Sequence, residues 1–326
     1  MHPTHVLFSG ETPPPVLPVV DHYAGSEKQI RKALSLQGEM GPVFDITCDC
    51  EDGARAGAEA EHALLCADLI NATENRFGRV AARIHDITHP HWRADLDILV
   101  GHAGDRLPFV TLPKARSHTD VVEQIAELRR LEAHYAIRRP IPVHVLIETH
   151  GALRDVWAIA GLDAVESLDF GIMDFVSAHR GAIPSGAMKS PGQFQHPLLV
   201  RAKCDITAAA LGSGAVPTHN VCTELKDIER VLTDARRACQ EFGFLRMWSI
   251  HPNQIAPILE AMRPQFEEVN DAMALLGAAQ DQGWGPMQYR DQLHDRASYR
   301  YYWHLLQRAH ATGMALSTET VDRFFA

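Results

Sequence analysis

The sequence predicts a (β/α)8 TIM barrel with a C-terminal helical appendage. Strand-like and helix-like segments alternate along the chain, eight strands can be counted, and charged residues follow the ends of five of them. The carboxyl ends of parallel strands meet at one face of such a barrel, and that face carries the active site. A chain of 326 residues is long enough to form this barrel as a single domain.

Short apolar runs bounded by turn residues predict the eight strands. They are Val16–Asp21, Val43–Cys48, Val80–Ile84, Phe109–Leu112, Val143–Ile147, a sixth ending at Phe170, a weak seventh at Ala215–Pro217, and Arg246–Ile250. A doubly wound open sheet is the alternative, but that fold normally has a Gly-rich turn after its first strand. Asp21–Ser26 has one glycine, which favours the barrel.

Apolar residues spaced three or four apart predict helices between the strands. The predicted helices are Ser26–Gln37 with Ser26 as cap, Ala54–Ala72, His118–Tyr135, Ala152–Ala160, Gln195–Leu211, and Leu225–Phe242 ended by Gly243. The pattern is strongest in His118–Tyr135, where Val121, Ile125 and Leu128 fall on one face.

The last sixty or so residues differ in character from the rest. A turn-rich break at Gly283–Pro286 precedes a predicted polar and aromatic helix, Asp291–Ala311. We therefore expect a barrel domain over residues 1–262 and a C-terminal extension over 263–326, acting as a lid or an oligomer contact. Its aromatic residues suit a subunit contact or core packing; they are Tyr299, Tyr301, Tyr302 and Trp303.

The net charge and the absence of long apolar runs limit the kinds of partner that the protein can have. The formal net charge of −10 disfavours nucleic acid or an acidic membrane as the main partner. No apolar run approaches ~18 residues, and the N-terminus lacks a basic segment followed by an apolar one. We expect a cytoplasmic protein. An anionic small molecule remains compatible with the net charge, because local Arg and Lys residues decide its binding.

Six cysteines are scattered along the chain without a Cys-x-x-Cys pair. Cys48 and Cys50 are two residues apart and so share a face of their predicted strand. A metal site is one interpretation of this pair. Buried thiols in a reducing cytosol are the favoured interpretation.

Two acids follow neighbouring predicted strands. Glu148 follows Val143–Ile147, and Asp174 lies shortly after Phe170. Two carboxylates from adjacent strands can hold Mg²⁺ when water and substrate oxygens complete its coordination. Either acid alone would suit a solvated loop, but their joint placement favours a metal site.

Two cations accompany these acids. Arg83 ends a strand of small apolar residues, and its permanent charge requires a carboxylate from the protein or from a substrate. Glu51 and Asp52 are its expected protein partners. Lys114 follows Leu-Pro in a similar position, although such lysines are often only solvated.

The acidic segment after the second predicted strand has more than one interpretation. Asp49 and Glu51 share a strand face, which suits them to orient Arg83 or to accept hydrogen bonds from metal-bound water. Asp52 could instead cap the helix expected to begin at Ala54.

Seven short motifs together resemble one known family. They are Asp49–Ala54, Arg83–His85, Leu112–Lys114, Ile147–Thr149, Phe170–Phe175, Gly243–Phe244 and Ser249–Ile255. In this order they resemble the citrate lyase β-subunit branch of the HpcH/HpaI aldolase superfamily, which also holds malyl-CoA lyases. The ordered set is specific to the superfamily but not to a substrate.

The resemblance implies a metal-dependent lyase that cleaves or forms carbon–carbon bonds. It implies Mg²⁺ ligands at Glu148 and Asp174, and an Arg83 that holds the carboxylate and developing enolate of the bound acid. Glu51 and Asp52 would support the water and Arg83 around the metal, and Lys114 would join Arg83 and Glu148 in binding substrate.

The resemblance also suggests an assembly. Some relatives use a lid acid from a neighbouring subunit, for which Asp295 is the candidate here, with an exposed helix acid as the alternative. A homotrimer or hexamer is implied.

The chain departs from the family near its N-terminus, where CoA-binding members usually open with a Leu-Phe-Val-Pro-Gly-like strand. Here Val6–Gly10 is followed by a proline-rich insertion, and His85 and the segment 217–220 also depart from the usual pattern. A hydroxyacyl-CoA thioester and a free 2-oxo or hydroxy acid therefore both remain possible substrates. A catalytically silent, acid-binding barrel with a regulatory or assembly role is the alternative outside the enzymes.

Overall fold

Eight parallel strands close into a barrel in the order in which they occur along the chain. The computed structural model describes residues 1–54 and 56–326. The strands are β1 Val20–Ala24, β2 Phe44–Asp49, β3 Val80–Arg83, β4 Val110–Leu112, β5 Val143–Ile147, β6 Val165–Phe170, β7 Val216–His219 and β8 Arg246–Ser249. Pairing of Val20 with Met247 joins β1 to β8 and closes the barrel. The predicted TIM barrel is confirmed.

Helices cover the outside of the barrel and form the C-terminal part. They are α1 Pro3–Leu7, α2 Glu27–Met40, α3 Glu59–Asn71, α4 Trp92–Ala103, α5 His118–His134, α6 His150–Arg154, α7 Val156–Ala160, α8 Ile172–Ser177, α9 Pro197–Ser213, α10 Ile228–Phe242, α11 Ile255–Met262, α12 Phe266–Asp281, α13 Arg296–Ala311 and α14 Thr318–Phe324. A short hairpin, β9 Met287–Tyr289 and β10 Gln292–His294, precedes α13. In the part of the chain that the structure describes, no helix has the length and apolarity needed to cross a membrane.

The first strand begins later than predicted. The apolar run Val16–Asp21 suggested a strand, but β1 is Val20–Ala24. Pro18 lies inside the predicted run, and a proline has no N–H to donate to a strand ladder. The shift brings Tyr23 into the barrel, where its ring stacks on Trp248.

Three predicted helices differ from the observed ones. The helix predicted over Ala54–Ala72 begins only at Glu59, and residue 55 of that prediction lies outside the described residues. The helix predicted over Asp291–Ala311 begins at Arg296, because the residues before it form the hairpin. The segment Ala152–Ala160 contributes to two short helices that meet at Asp155.

A second apolar cluster lies outside the barrel core. Leu7 and Phe8 from the N-terminus pack there with residues of α12, α13 and α14. Tyr299 and Trp303 are buried in this cluster, whereas Tyr301 is exposed, so the aromatic set of α13 is mainly core rather than surface. The division into residues 1–262 and 263–326 stays a prediction, and the N-terminus packs with the second part.

Candidate active site

The predicted site residues of the barrel lie at one end of it. Asp49 and Arg83 end β2 and β3 and are paired across these strands. Lys114 and Glu148 follow β4 and β5, and Asp174 lies in the first turn of α8 after β6. Since all these strands are parallel, their carboxyl ends meet at the same barrel mouth.

Arg83 is fixed by two carboxylates. Its Nε and Nη2 donate to Asp49 Oδ1 and Oδ2 at 2.8 and 2.6 Å, and its Nη1 lies 3.0 Å from Glu51 Oε2. Burial would raise the pKa of Asp49, but the charge and hydrogen bonds of Arg83 hold it below its usual value. The backbone N–H groups of Glu51 and Gly53 also donate to Asp49, at 3.0 and 2.8 Å. The contacts to Asp49 and Glu51 therefore fix the plane of the Arg83 guanidinium.

One of the two predicted protein partners of Arg83 was wrong. Arg83 was expected to pair with Glu51 and Asp52, and the structure pairs it with Asp49 and Glu51. Asp52 is exposed and lies 2.8 Å from Lys114 Nζ. Asp52 does not cap a helix at Ala54 either, because α3 begins five residues later.

Lys114 links three of the acids. Its Nζ lies 2.7 Å from Glu51 Oε1, 2.8 Å from Asp52 Oδ2 and 3.8 Å from Asp174 Oδ1. Burial disfavours its charge, but these carboxylates raise the pKa of Lys114 well above its ordinary value. Its backbone is left-handed, with φ 48°, and its N–H donates to Glu148 Oε1 at 2.7 Å. A non-glycine residue adopts this conformation only where its surroundings hold it there.

Glu148 is the most deeply buried acid of the mouth, with 2% of its surface exposed. Burial raises the pKa of Glu148 to about 8, and the charge of Asp174 adds to that effect. A Cβ on Gly171 would lie 2.2 Å from Glu148 Oε2, so this carboxylate occupies space that only a glycine leaves open. The side chain of Asp174 is more open, at 40% exposed.

The site has an excess of negative charge that suits a divalent cation. Among the residues that the structure describes at this mouth, five carboxylates face two cations, which leaves three negative charges when all these groups are ionised. Oxygen ligands are those that Mg²⁺ prefers, and a cation beside Glu148 would stabilise its ionised form. Glu148 and Asp174 are therefore the residues of this mouth that could hold a magnesium ion.

Sequence reasoning missed the apolar floor of the site. Tyr23 stacks on Trp248 with ring centroids 3.9 Å apart, and the Arg83 guanidinium lies 5.3 Å from the centre of the Tyr23 ring. Leu146 packs with the two rings. The alternation of side chains along β1 could have indicated an inward Tyr23, had the strand been placed correctly.

The hydrogen bonds of the Asp295 side chain do not connect it to the other predicted site residues. Its carboxylate accepts from the N–H groups of Ala297 and Ser298, at 2.9 and 3.4 Å, and so caps α13. Leu293, two residues earlier, is 77% exposed. Within the described residues, the side chain of Asp295 bonds only the first turn of its own helix.

Comparison with known proteins identifies the family. The model of the HpcH/HpaI aldolase/citrate lyase family matches residues 44–252. The chain belongs to this family. The predicted membership is confirmed, and so is the predicted class of carbon–carbon lyase.

Curated relatives in this family are acyl-CoA lyases by name. An L-malyl-CoA/β-methylmalyl-CoA lyase of Cereibacter sphaeroides is 27% identical over 307 residues, which cover 90% of this chain and 95% of the relative. A malyl-CoA/β-methylmalyl-CoA/citramalyl-CoA lyase of Chloroflexus aurantiacus is 25% identical, covering 88% of this chain and 86% of the relative.

Two solved structures of citrate lyase-type proteins are similar to this chain. A citrate lyase from Burkholderia xenovorans is 52% identical with a TM-score of 0.84, covering 99% of this chain and 100% of that one. CitE from Mycobacterium tuberculosis, solved with magnesium, acetoacetate and coenzyme A, is 22% identical with a TM-score of 0.66. That match covers 90% of this chain and 98% of CitE, and it supports the fold.

Proposed function

We propose that this protein is a magnesium-dependent lyase that cleaves or forms a carbon–carbon bond in a hydroxyacyl-CoA thioester. The observation that carries the proposal is the acid pair Glu148 and Asp174, which shares the barrel mouth with Arg83 and Lys114. The magnesium cofactor predicted from the sequence agrees with solved members of the family that hold this ion. The curated relatives favour the thioester over the free acid.

Glu148 and Asp174 would hold the metal ion. When bound, magnesium acts as a Lewis acid that polarises a carbonyl oxygen of the substrate. The burial of Glu148 and the hydrogen bond from the backbone of Lys114 fix one of the two ligands in place. The greater exposure of Asp174 leaves room beside it for water or substrate oxygens.

Arg83 would bind the carboxylate of the acid and stabilise the developing enolate. Two of its five N–H groups donate to Asp49, and its Nη1 lies 3.0 Å from Glu51 Oε2 as an ion pair, so N–H groups on both terminal nitrogens remain for a substrate. A fixed positive charge at a developing oxyanion stabilises the transition state by about 3 kcal/mol in comparable sites. Glu51 and Asp52 hold Lys114; burial raises the pKa of Glu51, and the positive charges of Arg83 and Lys114 oppose that rise.

The assembly and location belong to the same proposal. Asp295 serves as a lid acid for a neighbouring copy in a homotrimer or hexamer, which its exposed turn and the exposed Leu293 support. The protein acts in the cytoplasm on a small carboxylic acid or its thioester, without a nucleic acid or membrane partner.

The test is cleavage of malyl-CoA and citramalyl-CoA, with free malate and citramalate in parallel. We expect thioester cleavage that requires Mg²⁺ and falls by at least about a hundredfold in Glu148→Gln and Asp174→Asn. Mg²⁺ plus pyruvate or glyoxylate should raise the Tm of the wild type but not of these variants.

Two results would contradict this assignment. Turnover of the free acids alone would make the protein an aldolase on free acids. A Mg²⁺-dependent Tm shift without turnover of any thioester or free acid would make it a silent, acid-binding barrel.

A further inference from the structure

A group of soft metal ligands lies behind the acidic end of β2, between that strand and α3. Asp49 points into the barrel toward Arg83, so its neighbours Cys48 and Cys50 point outward, toward α3. His62 and Cys66 are four residues apart on α3 and therefore share one helix face. The spacing Cys-x-Cys followed by His-x-x-x-Cys places these four side chains together.

The distances match a tetrahedral zinc site. Ligand atoms of Cys50, His62 and Cys66 lie within 4.8 Å of one another, and the Sγ atoms of the two cysteines are 3.8 Å apart. Zinc–sulfur bonds of ~2.3 Å at a tetrahedral angle place two sulfurs about 3.8 Å apart. Cys48 belongs to the same buried cluster as Cys50 and Cys66.

One ring nitrogen of His62 is hydrogen-bonded to the protein backbone and the other can serve a metal. Its Nε2 lies 2.9 Å from the carbonyl oxygen of Asp49. A carbonyl can only accept, so Nε2 carries the proton and Nδ1 keeps its lone pair. Zinc-binding histidines commonly donate their second ring N–H to a backbone carbonyl in this manner.

The site is closed to solvent on its cysteine side. Cys48 and Cys66 are fully buried, and Cys50 is 1% exposed, whereas His62 is partly exposed and offers a route of entry. Buried thiols are shielded from reagents in solution. A ligand set of thiolates and an imidazole favours zinc over magnesium.

We propose that Cys50, His62 and Cys66 bind a zinc ion, whose fourth ligand is Cys48 or a water molecule. The ion joins Cys50, just after β2, to His62 and Cys66 on α3. Glu51 and Asp52, which contact Arg83 and Lys114, follow Cys50 directly in the chain. The zinc site is distinct from the oxygen-ligand site of Glu148 and Asp174, and it stands independently of the proposed reaction.

Metal analysis of the full-length protein, purified without chelator and supplied with zinc, tests the proposal. We expect about one tightly bound zinc ion per chain. Chelation followed by Co²⁺ should produce thiolate-to-cobalt charge-transfer absorption, which oxygen ligands cannot give. Cys50→Ser, Cys66→Ser and His62→Gln should lose the zinc. The exposed-cysteine control Cys204→Ser and the mouth variant Glu148→Gln should keep it.

The cobalt spectrum of the wild type keeps the test decisive if a cysteine variant fails to fold. Absence of charge-transfer absorption, together with no retained zinc, would overturn the proposal. A disulfide between Cys50 and Cys66, found by mass spectrometry of the non-reduced protein purified with zinc, would also overturn it.

Discussion

Glu148 lies where any side chain at position 171 would collide with it. A Cβ on Gly171 would sit 2.2 Å from Glu148 Oε2 and 2.6 Å from its Cβ, far inside contact distance. Gly171→Ala should displace this carboxylate and lower kcat/KM by about a hundredfold, because small misplacements of a reacting group are that costly. The Mg²⁺-dependent rise in Tm should weaken with it.

Gly38→Ala is the matched control for that substitution. A Cβ at Gly38 on α2 meets nothing within 4 Å, so it should leave kcat/KM unchanged and add about 0.5–1 kcal/mol of stability. If Gly171→Ala retained full activity and metal response, Glu148 would not be the ligand proposed here.

The geometry of Arg83, and not only its charge, should matter for activity. Arg83→Lys keeps a cation beside Asp49 but loses the two parallel hydrogen bonds and the contact to Glu51. We expect kcat/KM to fall by about 10²–10³-fold while the far-UV circular dichroism is unchanged. The exposed pair of Arg93 with Glu123 supplies the control Arg93→Lys, which should have no effect.

His22 should make stability depend on pH. It is buried, with Nδ1 2.9 Å from Ser249 Oγ, and burial lowers its pKa to about 4. Below pH ~6.5 the imidazole of His22 is protonated in the unfolded chain but stays neutral in the native state. This residue therefore lowers the free energy of unfolding as pH falls toward 4. Between pH 7 and pH 5 the loss is about 2 kcal/mol.

The neighbouring Asp21 acts in the opposite direction. Burial raises its pKa from 3.8 to about 6, so the native state holds a proton that the unfolded chain releases, and stability falls as pH rises through this range. The two effects partly cancel in the wild type. His22→Gln removes the His22 effect alone, so on going from pH 7 to pH 5 its stability should rise by about 2 kcal/mol relative to the wild type.

Urea unfolding of both proteins at the two pH values measures this difference. The exposed-histidine variant His102→Gln is the control for removing an imidazole from the surface. Equal pH dependence in His22→Gln and the wild type would contradict the assignment.

At the scale of elements, the barrel strands were predictable because each is a short apolar run between turns. The bounds of β5 were predicted to the residue, and β2, β3, β4 and β8 to within one residue at each end. Of the Ala-rich stretch before Glu59, residue 54 and residues 56–58 were wrongly predicted as helix. Directly before it, the Asp49 carboxylate accepts hydrogen bonds from the N–H groups of Glu51 and Gly53, a local turn that competes with helix formation.

The hairpin of residues 287–294 was missed for a different reason. Arg290 and Asp291 connect its strands with φ of 47° and 62°, values that non-glycine residues seldom adopt. Neither residue gives the turn signal of Asn-Gly or Asp-Gly, so polarity alone suggested a continuous helix.

Contact between two loops of the mouth should be sensitive to one added methyl group. A Cβ on Gly25, after β1, would lie 2.0 Å from the backbone oxygen of Gly53, which cannot move without its whole segment. Gly25→Ala should cost about 1–3 kcal/mol and speed hydrogen exchange in residues 50–54. Gly186→Ala, whose Cβ would meet nothing within 4 Å, is the control. Unchanged exchange in Gly25→Ala would show that the loops do not support one another.

At the scale of the whole molecule, the site was predictable to the extent that strand ends define it. Arg83, Lys114, Glu148 and Asp174 could be placed at one face from topology alone. The partners of Arg83 could not, because the choice between Asp49 and Asp52 depends on how the chain turns after β2. Side-chain alternation after β2 allowed Asp49 to orient Arg83 together with Glu51, whereas Asp52 was expected as a direct partner of Arg83.

The position of Asp295 makes subunit complementation the decisive experiment for the assembly. If each site takes Arg83 from one chain and Asp295 from a neighbour, Arg83→Ala and Asp295→Ala homo-oligomers are both inactive. Random mixed oligomers refolded from equal amounts should then recover about a quarter of the wild-type sites, since both intact residues meet with that probability. The double variant mixed with itself should recover nothing.

Light scattering of the same samples should give three or six chains per particle. Failure of mixed oligomers to recover activity, with both single variants folded and assembled, would mean that Asp295 does not serve a neighbouring site. The carboxylate would then act only as the cap of α13, for which its two hydrogen bonds to Ala297 and Ser298 are sufficient. In that case Asp295→Asn should retain the stability of α13, because asparagine caps helices about as well as aspartate does.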